Sequence, residues 1–166
     1  MSKTDELRDA LLHECDIAIH LHSKIPEGTE DYRPTEGQRS TTELLRYLAA
    51  CGIGSALAMR DGKWDGYKEA MEGVAELPPA EFPDAMRRQK EALRAFVDGL
   101  SDDDLQNVES TLPWGEKVTL GRALLETTLK WLTAYRMQLF LYAKAAGNHA
   151  IGTANNGAAV DYEGDA

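Results

Sequence analysis

The sequence predicts an all-α protein, a four-helix bundle with long crossover connections, and three observations carry that prediction. Apolar residues recur at spacings of three and four along four separate stretches, which is the period of a helix. Capping and stop residues bracket those stretches. The segments 26–38 and 61–83 mix Pro, Gly and charge without any period, so they read as crossovers between the helices. A helix with one apolar face cannot bury it alone, and four such helices pack as a bundle.

Residues 4–25 place Leu7, Leu11, Cys15, Ala18, Leu21 and Ile25 at helical spacing, with Asp5 and Glu6 at the positive end of the helix dipole and Pro26 and Gly28 as stops. In "STTELLRYLAACGIGSALAM", Ser40 and Glu43 have capping-box spacing, which sets the start of the second helix. Leu44, Leu48, Cys51, Ser55 and Met59 form one row down it. Ala49, Ala50, Gly52, Gly54 and Ala56 admit a close neighbour, although the two glycines weaken the helix. Phe82, Met86, Gln89, Leu93, Phe96 and Leu100 define a third helix closed by Gly99. "SDDDL" opens a short helical turn, and Pro113, Trp114 and Gly115 give the turn of a minimal hairpin before the last helix. Thr119 is the N-cap of the fourth helix, which runs to about Ala146 and ends at Gly147. Residues 1–147 are thus the bundle. Residues 148–166 are small, polar, acidic and aperiodic, and read as a flexible tail or one tied down by a partner chain.

Charge and composition narrow the function classes. The chain has 166 residues, 43% of them apolar, and a net charge of -10. Such a charge repels phosphate backbones and anionic lipid headgroups, which argues against nucleic-acid and membrane-surface partners. No apolar run reaches the roughly 18 residues of a membrane span. The charged N-terminus has no signal-peptide pattern. Cys15 and Cys51 lie inside helical patterns and form no CxxC pair, as expected of reduced thiols in a cytoplasmic protein.

One stretch stands out, "KWLTAYRMQLFLYAKAAG" at 130–147, where Trp131 and Tyr135 lie one turn apart and Gln138 and Tyr142 continue their row. Together with "RSTTELLRYLA" it resembles the DinB-like (DinB/YfiT) superfamily of four-helix bundles, whose members often read "WS..E.L.HLA" and later "H...HRGQL..YLR..G". The resemblance runs from the first helix to Gly147. Arg136, Gln138, Leu139, Tyr142 and Gly147 stand where that pattern has Arg, Gln, Leu, Tyr and Gly. It implies a divalent metal held by one histidine on the second helix and two at i, i+4 on the fourth, with thiol-dependent transferase activity in members that keep them. Those three positions fall at Tyr47, Trp131 and Tyr135. An indole has no lone pair for a metal, and a phenol is a poor ligand below its pKa of about 10. The resemblance therefore implies a metal site overwritten by aromatics, with no cofactor.

The residues then predict a non-catalytic or small-ligand-binding bundle whose pocket includes Tyr47, Cys51, Trp131, Tyr135 and Gln138 and takes an apolar or aromatic molecule. Gln138 is the nearest partner for the phenols on that face. The alternative is a metal- or thiol-cofactor-dependent transferase or hydrolase using substitute ligands, with His20 and Glu43 as candidates. His20 and His22 point to opposite faces, and His13 and His20 lie about 10.5 Å apart along one helix, so none of these pairs chelates an ion by itself. The apolar excess of the last helix, with Leu125, Leu129, Leu132 and Leu139 in one row, predicts a homodimer.

Overall fold

The computed structural model describes residues 1–161. In chain order the elements are α1 Lys3–His22, α2 Thr41–Asp61, α3 Asp65–Glu72, α4 Phe82–Asp98, α5 Asp102–Asn107, β1 Glu109–Thr111, β2 Lys117–Thr119, α6 Leu120–Leu124, α7 Lys130–Ala145 and α8 Thr153–Ala158. A π-helical turn, Leu125–Leu129, joins α6 to α7. The fold is all-α with one minimal antiparallel hairpin, in which Ser110 faces Val118.

Local chemistry sets the helix starts. Ser40 accepts from the Glu43 amide at 3.2 Å, and Glu43 accepts from the Ser40 amide at 2.7 Å. The same reciprocal cap recurs at Ser2 with Asp5 and at Ser101 with Asp104. Thr119 caps α6. The predicted rows are the buried ones: Leu44, Leu48, Cys51, Ser55 and Met59 in α2, and Phe82, Met86, Gln89, Leu93 and Phe96 in α4. α1 lies against α4 and α7, while α2 touches α3, α4 and α7.

Close approach around α2 is made possible by two glycines. A Cβ on Gly52 would lie 3.1 Å from Gln89 Oε1 and 3.1 Å from a Leu132 methyl, and one on Gly54 would lie 3.0 Å from the Tyr67 ring. Gln89 is wedged against the α2 backbone. Its Oε1 accepts from the Gly52 and Ile53 amides at 3.0 and 3.1 Å, and its Nε2 donates to the Leu48 carbonyl at 2.8 Å.

Two expectations meet a different structure. The fourth helix is not one regular run, because the π turn inserts extra backbone at 125–129. Thr127 and Thr128 are fully buried there, their hydroxyls bonded to the Ala123 carbonyl at 2.7 Å and to Ser55 Oγ at 3.0 Å. A regular 3.6-residue row cannot be carried through such a turn, so Leu132 and Leu139 are buried while Leu125 is 50% exposed. The second difference concerns the tail. Ile151 and Asn155 are buried, and α8 lies on α1 and α7. Arg136 Nη1 donates to the Asn156 carbonyl at 2.6 Å, and Lys24 pairs with Asp161 at 2.6 Å. Hydrogen bonds and ion pairs hold this segment, and such a polar attachment leaves no apolar period to read. Residues 162–166 of the expected tail lie outside the described residues. On α7, Met137 and Leu141 are exposed in the single chain.

Alanine has the higher helix propensity, by about 1 kcal/mol, yet Gly52→Ala should destabilise the protein. Gln89 and Leu132 are both buried and Gln89 is fixed by its hydrogen bonds, so overpacking of about 1–3 kcal/mol should prevail. A Tm lower than the parent's by a few degrees is expected in thermal melts. A higher Tm would mean that the helices do not approach this closely.

Candidate functional site

Three contacts set the register of α2 on the last helical run: Tyr47 with Tyr135, Gly52 with Leu132, and Ser55 with Thr128. Advance along one helix matches retreat along the other, so the pair is antiparallel, and this register delivers Tyr47 onto Tyr135. Their ring centroids are 4.5 Å apart with the planes at 62°, an edge-to-face pair. The Arg39 guanidinium caps the pair, 4.2 Å from the Tyr47 centroid and 5.4 Å from that of Tyr135. Trp131 instead meets Tyr67 of α3 at 6.4 Å, and Trp64 meets the same ring at 5.2 Å. Tyr47, Trp131 and Tyr135 are all half-buried.

Burial keeps the Tyr47 phenol and the two thiols neutral. Burial raises the Tyr47 phenol well above the ordinary tyrosine value, and the adjoining Tyr67 side chain adds to the rise. Cys51 is fully buried, and burial, with Cys15 nearby, pushes its thiol up; that of Cys15 is pushed up to about 12. A thiol held protonated is a poor nucleophile and a poor ligand.

Gln138 does not serve the phenols of Tyr47 and Tyr135. Its Nε2 donates to the Tyr142 hydroxyl at 2.9 Å, which donates in turn to the Arg39 carbonyl at 2.9 Å. Gln138 thus anchors the loop that carries Arg39. The substitute ligands are engaged elsewhere. His20 Nε2 lies 3.1 Å from the Asn155 amide, and Glu43 is committed to the Ser40 cap and to Arg33 at 3.4 Å. Among the described residues no three of His, Cys, Asp and Glu come together as a metal-holding group. An indole and two rings in contact, one of them a phenol held neutral, do not fit a divalent ion.

Beside Tyr47 opens a depression of about 250 Å³, walled by Arg39, Glu43 and Arg46 on one side and by Met71, Val74 and Ala75 on the other. A larger hollow of about 700 Å³ lies between α1, α5 and α6, among Leu7, Leu105, Thr119 and Leu125, away from the aromatic cluster. Arg39 and Tyr67 escape the sequence pattern. Arg39 stands in the aperiodic loop just ahead of the Ser40 cap, and Tyr67 stands in the second crossover, where no row marks either residue as facing the site.

No family model matches the sequence. Over 149 residues, 89% of this chain and 94% of the relative, the sequence is 22% identical to the uncharacterized protein YjoA of Bacillus subtilis. The crystal structure of YjoA, a DinB-like protein, matches with a TM-score of 0.66 at 21% identity, covering 86% of this chain and 92% of that one. The chain has the DinB-like fold.

Within that fold, the positions that carry the sequence resemblance have structural work. Arg136, 9% exposed, joins α7 to Glu14 of α1 at 2.5 Å and to Asn156 of the C-terminal segment. Leu139 is core, Tyr142 fastens the Arg39 loop, and Gly147 lies just past the end of α7.

If Tyr47, Trp131 and Tyr135 occupy the three metal-ligand positions implied by the resemblance, Tyr47→His, Trp131→His and Tyr135→His together should create zinc or nickel affinity that the parent lacks. The metal-free triple variant should be less stable by at least about 3 kcal/mol, because three large rings are truncated, and metal should restore part of that loss. Calorimetric titration decides it. Binding no tighter than the parent's would refute the placement of these positions.

Proposed function

We propose that this DinB-like protein is a non-catalytic, small-molecule-binding bundle of the cytoplasm, whose ligand lodges against the aromatic cluster at Tyr47. The observation that carries the reading is the Tyr47–Tyr135 contact at 4.5 Å, with a depression of about 250 Å³ directly beside it. On the placement that the resemblance implies, rings stand in for an ion and its waters, and they offer an apolar or aromatic molecule a surface to stack on. The free cysteines Cys15 and Cys51 suit a reducing compartment.

The alternative enzymatic reading, a metal- or thiol-dependent transferase or hydrolase, draws less support. It would require Cys51 as a reactive thiol, yet that thiol is enclosed and its ionisation opposed by burial. It would also require His20 and Glu43 as ligands, and both are held by other partners.

Two measurements on protein purified without a metal-affinity tag test the proposal. Elemental analysis should find only substoichiometric metal. Thermal-shift screening of small apolar and aromatic compounds should find some that raise Tm, by up to the equivalent of about 2.7 kcal/mol at a hundredfold excess over Kd, with the shift lost in Tyr47→Ala. Stoichiometric zinc, nickel or iron, or a Tm unmoved across the whole library, would contradict it.

A further inference from the structure

The depression beside Tyr47 carries unspent positive charge on a chain whose net charge is -10. Among the described residues, the guanidinium of Arg39 has no hydrogen bond or ion pair to protein. Its Cζ lies 4.2 Å from the Tyr47 ring centroid and 5.4 Å from that of Tyr135, so the rings hold it by cation–π contact while its N–H groups have no protein acceptor among the described residues. Arg46 spends Nε on the Leu77 carbonyl at 3.0 Å, with no protein partner for its terminal amino groups among the described residues. The one carboxylate in the lining, Glu43, accepts the Ser40 amide at 2.7 Å and meets Arg33 at 3.4 Å, both at Oε2. Arg33 in turn is occupied by Glu43 and by the Gln38 carbonyl. Facing the two arginines are the apolar side chains of Met71, Val74 and Ala75.

We infer that this depression binds a small organic monocarboxylate, its carboxylate on the free edges of Arg39 and Arg46 and its apolar or aromatic body against Tyr47 and Met71. The inference rests on the ligand-binding reading of the same site and adds the chemical class of the ligand. The guanidinium fork matches a carboxylate in two parallel hydrogen bonds, and a guanidinium held by aromatic faces loses little further freedom on pairing. Glu43 in the wall disfavours a dianion, which selects carboxylate over phosphate monoester. At about 250 Å³ the space lies below the ~300–1,000 Å³ of drug-sized sites, so the body is no larger than a single ring or a short chain.

Benzoate, benzamide and phenyl phosphate serve as matched probes, titrated against the full chain while the Tyr47 and Met71 resonances are followed by NMR. Benzoate should shift both resonances and bind at least tenfold more tightly than benzamide or phenyl phosphate. Arg39→Gln should abolish that preference, and Arg39→Lys, which keeps the charge without the fork, should retain part of it. If benzamide binds as tightly as benzoate, or phenyl phosphate more tightly, the carboxylate inference is overturned while the ligand site stands. If no probe moves Tyr47 or Met71 in the folded parent, the inference fails, and thermal-shift hits whose effect is lost in Tyr47→Ala would still uphold the broader reading. Equal preference in the parent and in Arg39→Gln would also overturn it.

Discussion

The bundle depends on how closely α2 can be approached, and the absence of a side chain at Gly52 sets that distance. Leu132 and Gln89 occupy the space a Cβ would need, so α7 and α4 both press directly onto the α2 backbone. Gln89 spans α2 at Leu48, Gly52 and Ile53, and this ties the two helices by hydrogen bonds in a region otherwise held by apolar contact. Once Leu132 is seated at Gly52, the antiparallel register is fixed in both directions along α2. Toward its C-terminus Thr128 reaches Ser55, and toward its N-terminus Tyr135 lands on Tyr47. Gly54 plays the same part on the neighbouring face, where Tyr67 approaches the helix and brings the second crossover into the aromatic cluster. The site is therefore a consequence of backbone proximity more than of any residue within it.

That proximity also decides what chemistry the site can support. An ion needs lone pairs pointed at a common centre, and open space for water or substrate. Tyr47 and Tyr135 face each other edge to face, and burial keeps the Tyr47 proton in place. Arg39 adds a positive charge over both rings, which suits aromatic faces and opposes a metal cation. The three features act together: the rings are in contact, the buried phenol stays neutral, and the charge over them is positive. Arg39 is held there from behind by Gln138 and Tyr142, so two residues that resemble a family motif on α7 act on the site through the loop.

Much of the fold was legible because its signals are local. Ser40 and Glu43 announce the start of α2 by spacing alone, and the buried row of α4 from Phe82 to Phe96 repeats at three and four. The hairpin around Trp114 followed from its turn residues. What stayed hidden depends on contacts between distant segments. "LETTL" reads as ordinary helix, and the π turn goes with the burial of Thr127, bonded to the Ala123 carbonyl, and of Thr128, bonded to Ser55 of a distant helix. Asn155 and Asn156 look like tail residues until Arg136 and His20 are placed beside them. At the candidate site, the resemblance singles out Tyr47 and Tyr135, whose rings are in contact, whereas Arg39 and Tyr67 sit in segments whose path no periodicity describes. Gln138 was placed on the right helix but paired with the wrong phenol, because a row down one helix does not reveal which loop lies over it.

α2 and α7 hold the Tyr47 and Tyr135 rings in direct contact, and the two rings should therefore be energetically coupled. A double-mutant cycle tests it most directly, with Tyr47→Ala, Tyr135→Ala and the double variant unfolded in denaturant alongside the parent. An edge-to-face pair at this separation should give a coupling energy of about 0.5–1.5 kcal/mol, the double variant losing less than the sum of the two singles. Additive losses would mean that the rings do not touch, and would contradict the antiparallel register of α2 on α7.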